Sequence, residues 1–229
     1  LRKSLKKEKL LLQLKEQLKF YQEIGAEFVF QTRPSEIDEI DNKEARFLSL
    51  EQEIKSCHQC DLYRTRRQAV PGEGNKKAEL LFVGEAPGRD EDLQGRPFVG
   101  RAGELLTKII KAMKFTREEV YITNVVKCRP PNNRTPHKEE IMSCYPYLLE
   151  QIELIQPKVI VALGNVAAKF FIPEASGIMK IRGKWHEFQG IPVMPTFHPS
   201  YLIRNERDRE RKRMVWEDMQ KVMELLGRK

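Results

Sequence analysis

The chain has 229 residues, 40% of them apolar and 8% aromatic, enough for one substantial domain and an accessory segment. A formal net charge of +8 and a pI near 9.3 point to a polyanionic partner. No apolar run approaches the roughly 20 residues that span a bilayer. The first Leu run is broken at once by Lys and Glu, so no membrane span or secretory leader is expected, and the protein reads as cytoplasmic.

Residues 1–28 are rich in Leu, Lys, Glu and Gln, with Leu11, Leu14, Leu18 and Tyr21 at helical spacing, which predicts an amphipathic helix. It either packs on the main domain or serves as a basic arm for DNA or a protein partner. Residues 29–44, around QTRPSEIDEIDNK, read as an acidic linker, and a second helix is expected from about Lys43 to Ser56. The chain thus divides into an extension, residues 1–45, and a domain, residues 46–229.

From Glu79 the pattern changes. ELLFVG (79–84), VYITNVV (120–126), KVIVALG (158–164) and IPVMPTF (191–197) are short β-rich runs. The first three are almost continuously apolar, as strands covered by helices on both faces must be. Helices are expected over Ala102–Met113, Lys138–Ile155, Val166–Phe171 and about Arg207–Leu226. The alternation predicts a three-layer α/β fold with a central four-stranded parallel sheet flanked by helices. Such sheets bind ligands beyond the carboxyl ends of their strands. There the sequence places Glu85, Asn124, Gly164 and His198, one per strand.

The stretch GEAPGRDEDLQGRPFVGRAG, residues 84–103, carries five glycines and two prolines beside Glu85 and Phe98. So many helix and strand breakers exclude a core element. The segment reads as a loop that brings backbone and a few side chains close to a ligand.

Four cysteines, Cys57, Cys60, Cys128 and Cys144, form a C-x2-C pair, a gap of 67 residues and a C-x15-C pair. In a cytoplasmic protein that set suggests a metal or cluster site rather than disulfides. A structural zinc and a [4Fe–4S] cluster are the two candidates, and spacing alone does not separate them. Either would order the Pro-rich loop 129–137 beside the strand-end crevice.

Taken together, GEAPGRDED, GRPFVGRAG, YITNVVKCRPP, the four cysteines and TFHPSYLIRN resemble the family-four, iron–sulfur uracil-DNA glycosylases, in order over about residues 50–225. The resemblance implies a [4Fe–4S] cluster with Cys57, Cys60, Cys128 and Cys144 as ligands. It implies hydrolysis of the N-glycosidic bond of deoxyuridine in DNA, releasing uracil and leaving an abasic site. The partner is then uracil-containing DNA, single- or double-stranded, met by a monomer.

The resemblance also implies roles by residue. The target nucleotide is flipped out of the stack, and Phe98 stacks on the base. Asn124 accepts from uracil N3–H and donates to O4, a pattern that cytosine reverses. His198 donates to O2 of the departing base. Glu85 either orients water or stabilises the cationic sugar. Ala86 stands where other uracil-DNA glycosylases carry a water-activating Asp, and Gly88 where others carry a thymine-excluding Tyr. Glu91 shapes the site near the base C5, and Gly164 belongs to the base pocket. Ser200 and Pro199 fix the turn presenting His198, while Tyr201, Leu202 and Ile203 are read as the wedge filling the vacated stack. Arg204, Arg207, Lys127, Arg129 and Arg134 are phosphate candidates.

Two other readings compete. A relative that captures uracil-DNA without turnover carries a basic insertion after the GEAPG-like motif, and here EDLQGRPFVGRAG runs through uninterrupted. A zinc-stabilised nucleic-acid-binding module explains the cysteines and charge, but not Glu85, Asn124 and His198 at strand ends.

Overall fold

The computed structural model describes residues 36–205 and 207–228, with side chains from residue 42 onward. The expected helix over residues 1–28 lies outside the described residues. The first element, α1 (Glu36–Ser56), starts well before the helix expected from Lys43. The stretch EIDEIDNK, read as linker from its charge, is helical. Its Glu residues are good helix formers, and acidic side chains suit a helix N-terminus.

The four expected strands all form: β2 (Leu80–Gly84), β3 (Tyr121–Asn124), β4 (Val159–Leu163) and β6 (Ile191–Thr196). They pair in parallel in the order β3-β2-β4-β6. Two short strands, β1 (Glu73–Gly74) and β5 (His186–Phe188), pair antiparallel to β3 and β6 and close the two edges. Among the described residues the sheet therefore has six strands, two more than the sequence reading foresaw. These edge strands have two and three residues, too few for an alternating pattern to register.

Because successive strand residues face opposite ways, each central strand feeds two cores. Leu81 and Val83 of β2, with Ile160 and Ala162 of β4, join Phe47, Leu50 and Ile54 of α1. On that face also lie α4 (Lys138–Ile155) and α5 (Gly164–Phe171). Leu80 and Phe82 face the other way, with Val159 and Val161, toward α3 (Arg101–Ala112) and α8 (Arg209–Leu225). Helices on both faces make three layers. Three short helices complete the fold: α2 (Arg89–Gln94) inside the Gly-rich stretch, α6 (Ile178–Ile181), and α7 (Pro199–Arg204). Among the described residues no helix is long and apolar enough to cross a membrane.

The connection from β2 runs to β3 on one side and the connection from β4 runs toward β6 on the other, so the topological switch lies between β2 and β4 and opens a crevice at their carboxyl ends.

Candidate active site

A cleft of about 570 Å³ opens above that switch point. It is lined by Glu85, Asn124, Gly164 and His198, one from each strand end, together with Phe98 and Glu91. Ala86, Ser200, Tyr201 and Arg204 also line it.

A carboxylate ties three backbone N–H groups of the Gly-rich wall together. Glu91 Oε2 accepts from the Gly88 N–H at 3.0 Å, and Oε1 accepts from the N–H groups of Val99 and Gly100 at 2.9 and 3.0 Å. The next residue, Asp92, is buried and accepts from the Arg67 N–H at 2.9 Å. The folded-over loop puts Phe98 in a left-handed conformation, φ 51°. Gly103 packs so tightly on the Phe98 carbonyl that no β-carbon fits there. Phe98 is buried, with its ring centroid 5.5 Å from that of His198 and tilted by 32°.

Asn124 ends β3 and is 1% exposed. Its Oδ1 has no hydrogen-bond partner, a condition that costs about 1–3 kcal/mol. An unpaired buried acceptor lining a cleft is a place prepared for a donor from outside the protein. Gly84 makes this possible: a β-carbon there would lie 2.5 Å from Phe98 Cζ and would strike Asn124 Oδ1.

His198 caps α7. Its Nδ1 accepts from the Ser200 N–H at 3.1 Å and lies 2.8 Å from Ser200 Oγ. With Nδ1 accepting, the neutral ring carries its proton on Nε2. Burial, helped by Arg204, pushes the His198 pKa down to about 4, so the ring is uncharged at neutral pH. Gly164, at φ 89°, permits the approach of this side chain, because a β-carbon there would sit 2.9 Å from His198 Cβ. Glu85 is half-buried, and desolvation raises its pKa against the opposing pull of Arg204. Of the two carboxylates lining the cleft, Glu91 spends both oxygens on backbone N–H groups. Glu85 is the one left for solvent and substrate.

Two expected DNA contacts are corrected. Lys127 cannot reach a phosphate: it is 0% exposed, with Nζ donating to Thr123 Oγ1, the Asn124 carbonyl and Gln151 Oε1 at 2.7, 2.7 and 2.6 Å. Leu202 is no wedge, because α7 turns it into the core beside Val215 and Met219 at 3% exposure. Arg204 and Arg207 are exposed. Arg129 is half-buried and donates to Asn133 Oδ1 at 2.8 Å, and Arg134 holds Glu140 with two bonds. Tyr201 lies half-buried against Phe197 with Arg211 over its ring. The cleft also takes Ile178 and Met179 from α6, Met179 being 60% exposed. Nothing in the sequence marked them: the run 172–181 has no period, and Gly177 at φ 133° sets its turn.

The four cysteines meet on one side of the sheet, with Cys128 and Cys144 buried and Cys57 and Cys60 packed against the same core. They lie near enough that neighbouring thiolates help raise the pKa values of Cys60, Cys128 and Cys144, after burial. Donors point at the sulfurs: Arg66 Nη1 to Cys128 Sγ at 2.9 Å and the Lys127 N–H to Cys144 Sγ at 3.3 Å. Among the described residues no three His, Cys, Asp or Glu side chains converge on a single-ion site.

The pattern of the uracil DNA glycosylase superfamily matches residues 71–220. A type-4 uracil-DNA glycosylase of Archaeoglobus fulgidus is 48% identical over 77% of this chain and 92% of its own length. One from Thermotoga maritima is 53% identical over 74% of this chain and 88% of its own. A type-5 uracil-DNA glycosylase of Pyrobaculum aerophilum is 31% identical over 69% and 76%. With the strand-end Glu, Asn, Gly and His gathered in one cleft, the chain belongs to the uracil-DNA glycosylase superfamily, alongside its type-4 members.

Proposed function

We propose that this cleft removes uracil from DNA by hydrolysing the bond between N1 of the base and C1′ of the sugar. The observation that carries the reading is the unpartnered Asn124 Oδ1. It is the acceptor that a uracil N3–H requires and that cytosine, with a bare N3, would leave unsatisfied. The Asn124 amide nitrogen donates to O4, and Phe98 stacks on the ring, a contact worth roughly 1–3 kcal/mol.

As C1′–N1 breaks, the bonding pair leaves with the base, charge gathers at O2, and the sugar becomes cationic. His198, neutral with its proton on Nε2, donates to O2 without giving the proton up. Glu85 faces the opposite charge: its carboxylate stabilises the sugar cation and orients the water that adds to C1′. A net charge of +8, with Arg204 exposed at the cleft and Arg207 exposed three residues on, suits a DNA backbone. The reading takes the protein as a monomer working in the cytoplasm.

We assign Cys57, Cys60, Cys128 and Cys144 to a [4Fe–4S] cluster. Four cysteines gathered at one place, with N–H donors on the sulfurs of Cys128 and Cys144, suit such a group. Held by these four residues, a cluster would tie the end of α1 and the second turn of α4 to the 129–137 loop, part of which lines the cleft. Arg66 bridges the two cysteine pairs, donating to Cys128 Sγ and to the carbonyls of Lys55 and Cys57 at 2.9, 3.0 and 2.8 Å. The Arg66→Met protein is therefore expected to lose iron faster than wild type on exposure to air, read by bleaching of the visible absorption. Equal bleaching rates would remove Arg66 from this role.

The direct assay uses a labelled oligonucleotide with a single uracil, followed by alkaline cleavage, with a thymine strand as control. Cleavage only at uracil supports the reading. No cleavage, with a protein–DNA band that survives denaturation, would turn it toward capture. In the same assay Gly84→Ala should lower kcat/KM at least about 10-fold. Its β-carbon displaces both Phe98 and Asn124, and a misplacement of about 1 Å can cost roughly 100-fold. Undiminished kcat/KM would mean that neither side chain needs its present position.

A further inference from the structure

Lys127 was expected at a phosphate and is instead sealed in the core, which leaves a buried lysine that the reaction described above does not use. We propose that Lys127 is a positioning residue, a strut that fixes the base-reading Asn124 to the helix carrying Cys144.

Burying an ammonium is costly unless its donors are matched. Here they are matched one for one: an ammonium has three N–H bonds, and three oxygens receive them, from Thr123 Oγ1, Gln151 Oε1 and the Asn124 carbonyl. The partners lie on two different elements. Thr123 and Asn124 are the last two residues of β3, and Gln151 stands on α4, seven residues and two turns after Cys144. The same residue's backbone N–H donates to Cys144 Sγ at 3.3 Å. Thus Lys127 grips α4 at two heights, by main chain and by side chain, and holds the Asn124 carbonyl from below. Thr123 and Gln151 are themselves anchored, both donating to the Pro71 carbonyl, at 2.7 and 2.9 Å.

The arrangement explains why a lysine is used. β3 ends at Asn124, so the Asn124 carbonyl lies where the sheet ladder runs out. A lysine reaching back three residues supplies the missing donor. With the carbonyl fixed, the side-chain amide keeps its place in the cleft with Oδ1 unpaired. A methionine of similar length would fill the volume and take one donor from each of the three acceptors.

This inference rests on the glycosylase reading, and the wild-type protein in the same assays reports on that reading separately. The test compares Lys127→Met with wild type in four measurements: visible absorption, binding of undamaged DNA, binding of free uracil by calorimetry, and single-uracil excision. The strut predicts unchanged absorption and undamaged-DNA binding, with uracil binding and kcat/KM both reduced about 10-fold or more. Calorimetry needs no turnover, so it reads the strut even if the wild-type protein proves to capture rather than cleave. Unchanged uracil binding and kcat/KM would overturn the proposal. So would a loss that only follows lost absorption, since Lys127 would then act by retaining the cluster. If Lys127→Met does not fold, Thr123→Val removes one acceptor and leaves the lysine. Weakened uracil binding in it supports the strut, and wild-type binding rejects it.

Discussion

Replacing His198 with alanine is expected to lower kcat for uracil excision about 100- to 1000-fold, the range for losing one preorganised donor at a developing anion. Binding of undamaged DNA should be unchanged. Single-turnover excision at saturating enzyme measures the first, and a gel-shift titration the second. A variant with wild-type kcat would remove His198 from the chemistry. The ring is built for donation without proton transfer. Ser200 occupies Nδ1 as a donor, and burial holds the pKa near 4, so protonation of a departing anion is left to water. The acid limb of the rate profile therefore should not fall at the usual histidine pKa of about 6.5. It should reflect Glu85, whose pKa is raised by burial and whose carboxylate must be ionised. As pH falls through that raised value the carboxylate gains its proton and the rate drops. Glu85→Gln should remove that limb and leave a low, flat profile. An acid limb surviving in Glu85→Gln would point to another group.

Replacing Asn124 with alanine should cut kcat/KM for uracil about 100-fold, near the upper end of what a bidentate amide contact supplies, about 1–3 kcal/mol. The expected companion is unusual for a buried residue: thermal stability no lower than wild type. The free protein carries Asn124 Oδ1 buried without a donor, at a cost of about 1–3 kcal/mol, and alanine relieves it. That gain opposes the packing lost from a small side chain. Calorimetric unfolding of both proteins, run beside the excision assay, makes the comparison. A large fall in Tm together with activity would mean that Asn124 holds the fold rather than reads the base.

What the sequence made legible follows the strength of the local signal. Three of the four parallel strands were readable because each is a short apolar run that must be buried on both faces, and α4 was readable to its ends despite Pro146 inside it. Strand ends then delivered Glu85, Asn124, Gly164 and His198 to one cleft without further argument. Where pairing is decided by distant residues, the reading failed. Lys127 looks like a surface charge until Gln151, 24 residues away, supplies an acceptor. Leu202 follows a Tyr and precedes an Ile, so no alternation in the sequence shows which of the three turns inward. The helix α2 was hidden among glycines, which here bound it: Gly88 precedes its first turn and Gly95, at φ 70°, ends it.

The pair Glu91 and Asp92 on that helix has a wider consequence. Side by side in the chain, one carboxylate ties the loop inward to Gly88, Val99 and Gly100, and the other ties it outward to Arg67. Two neighbouring positions thus fix much of the shape of the wall. Leu93 and Gln94, both with exposed side chains on that helix, carry none of these bonds and can change without disturbing them. A lineage could retune what approaches the cleft, by charge or by bulk, while the geometry that reads the base is inherited intact.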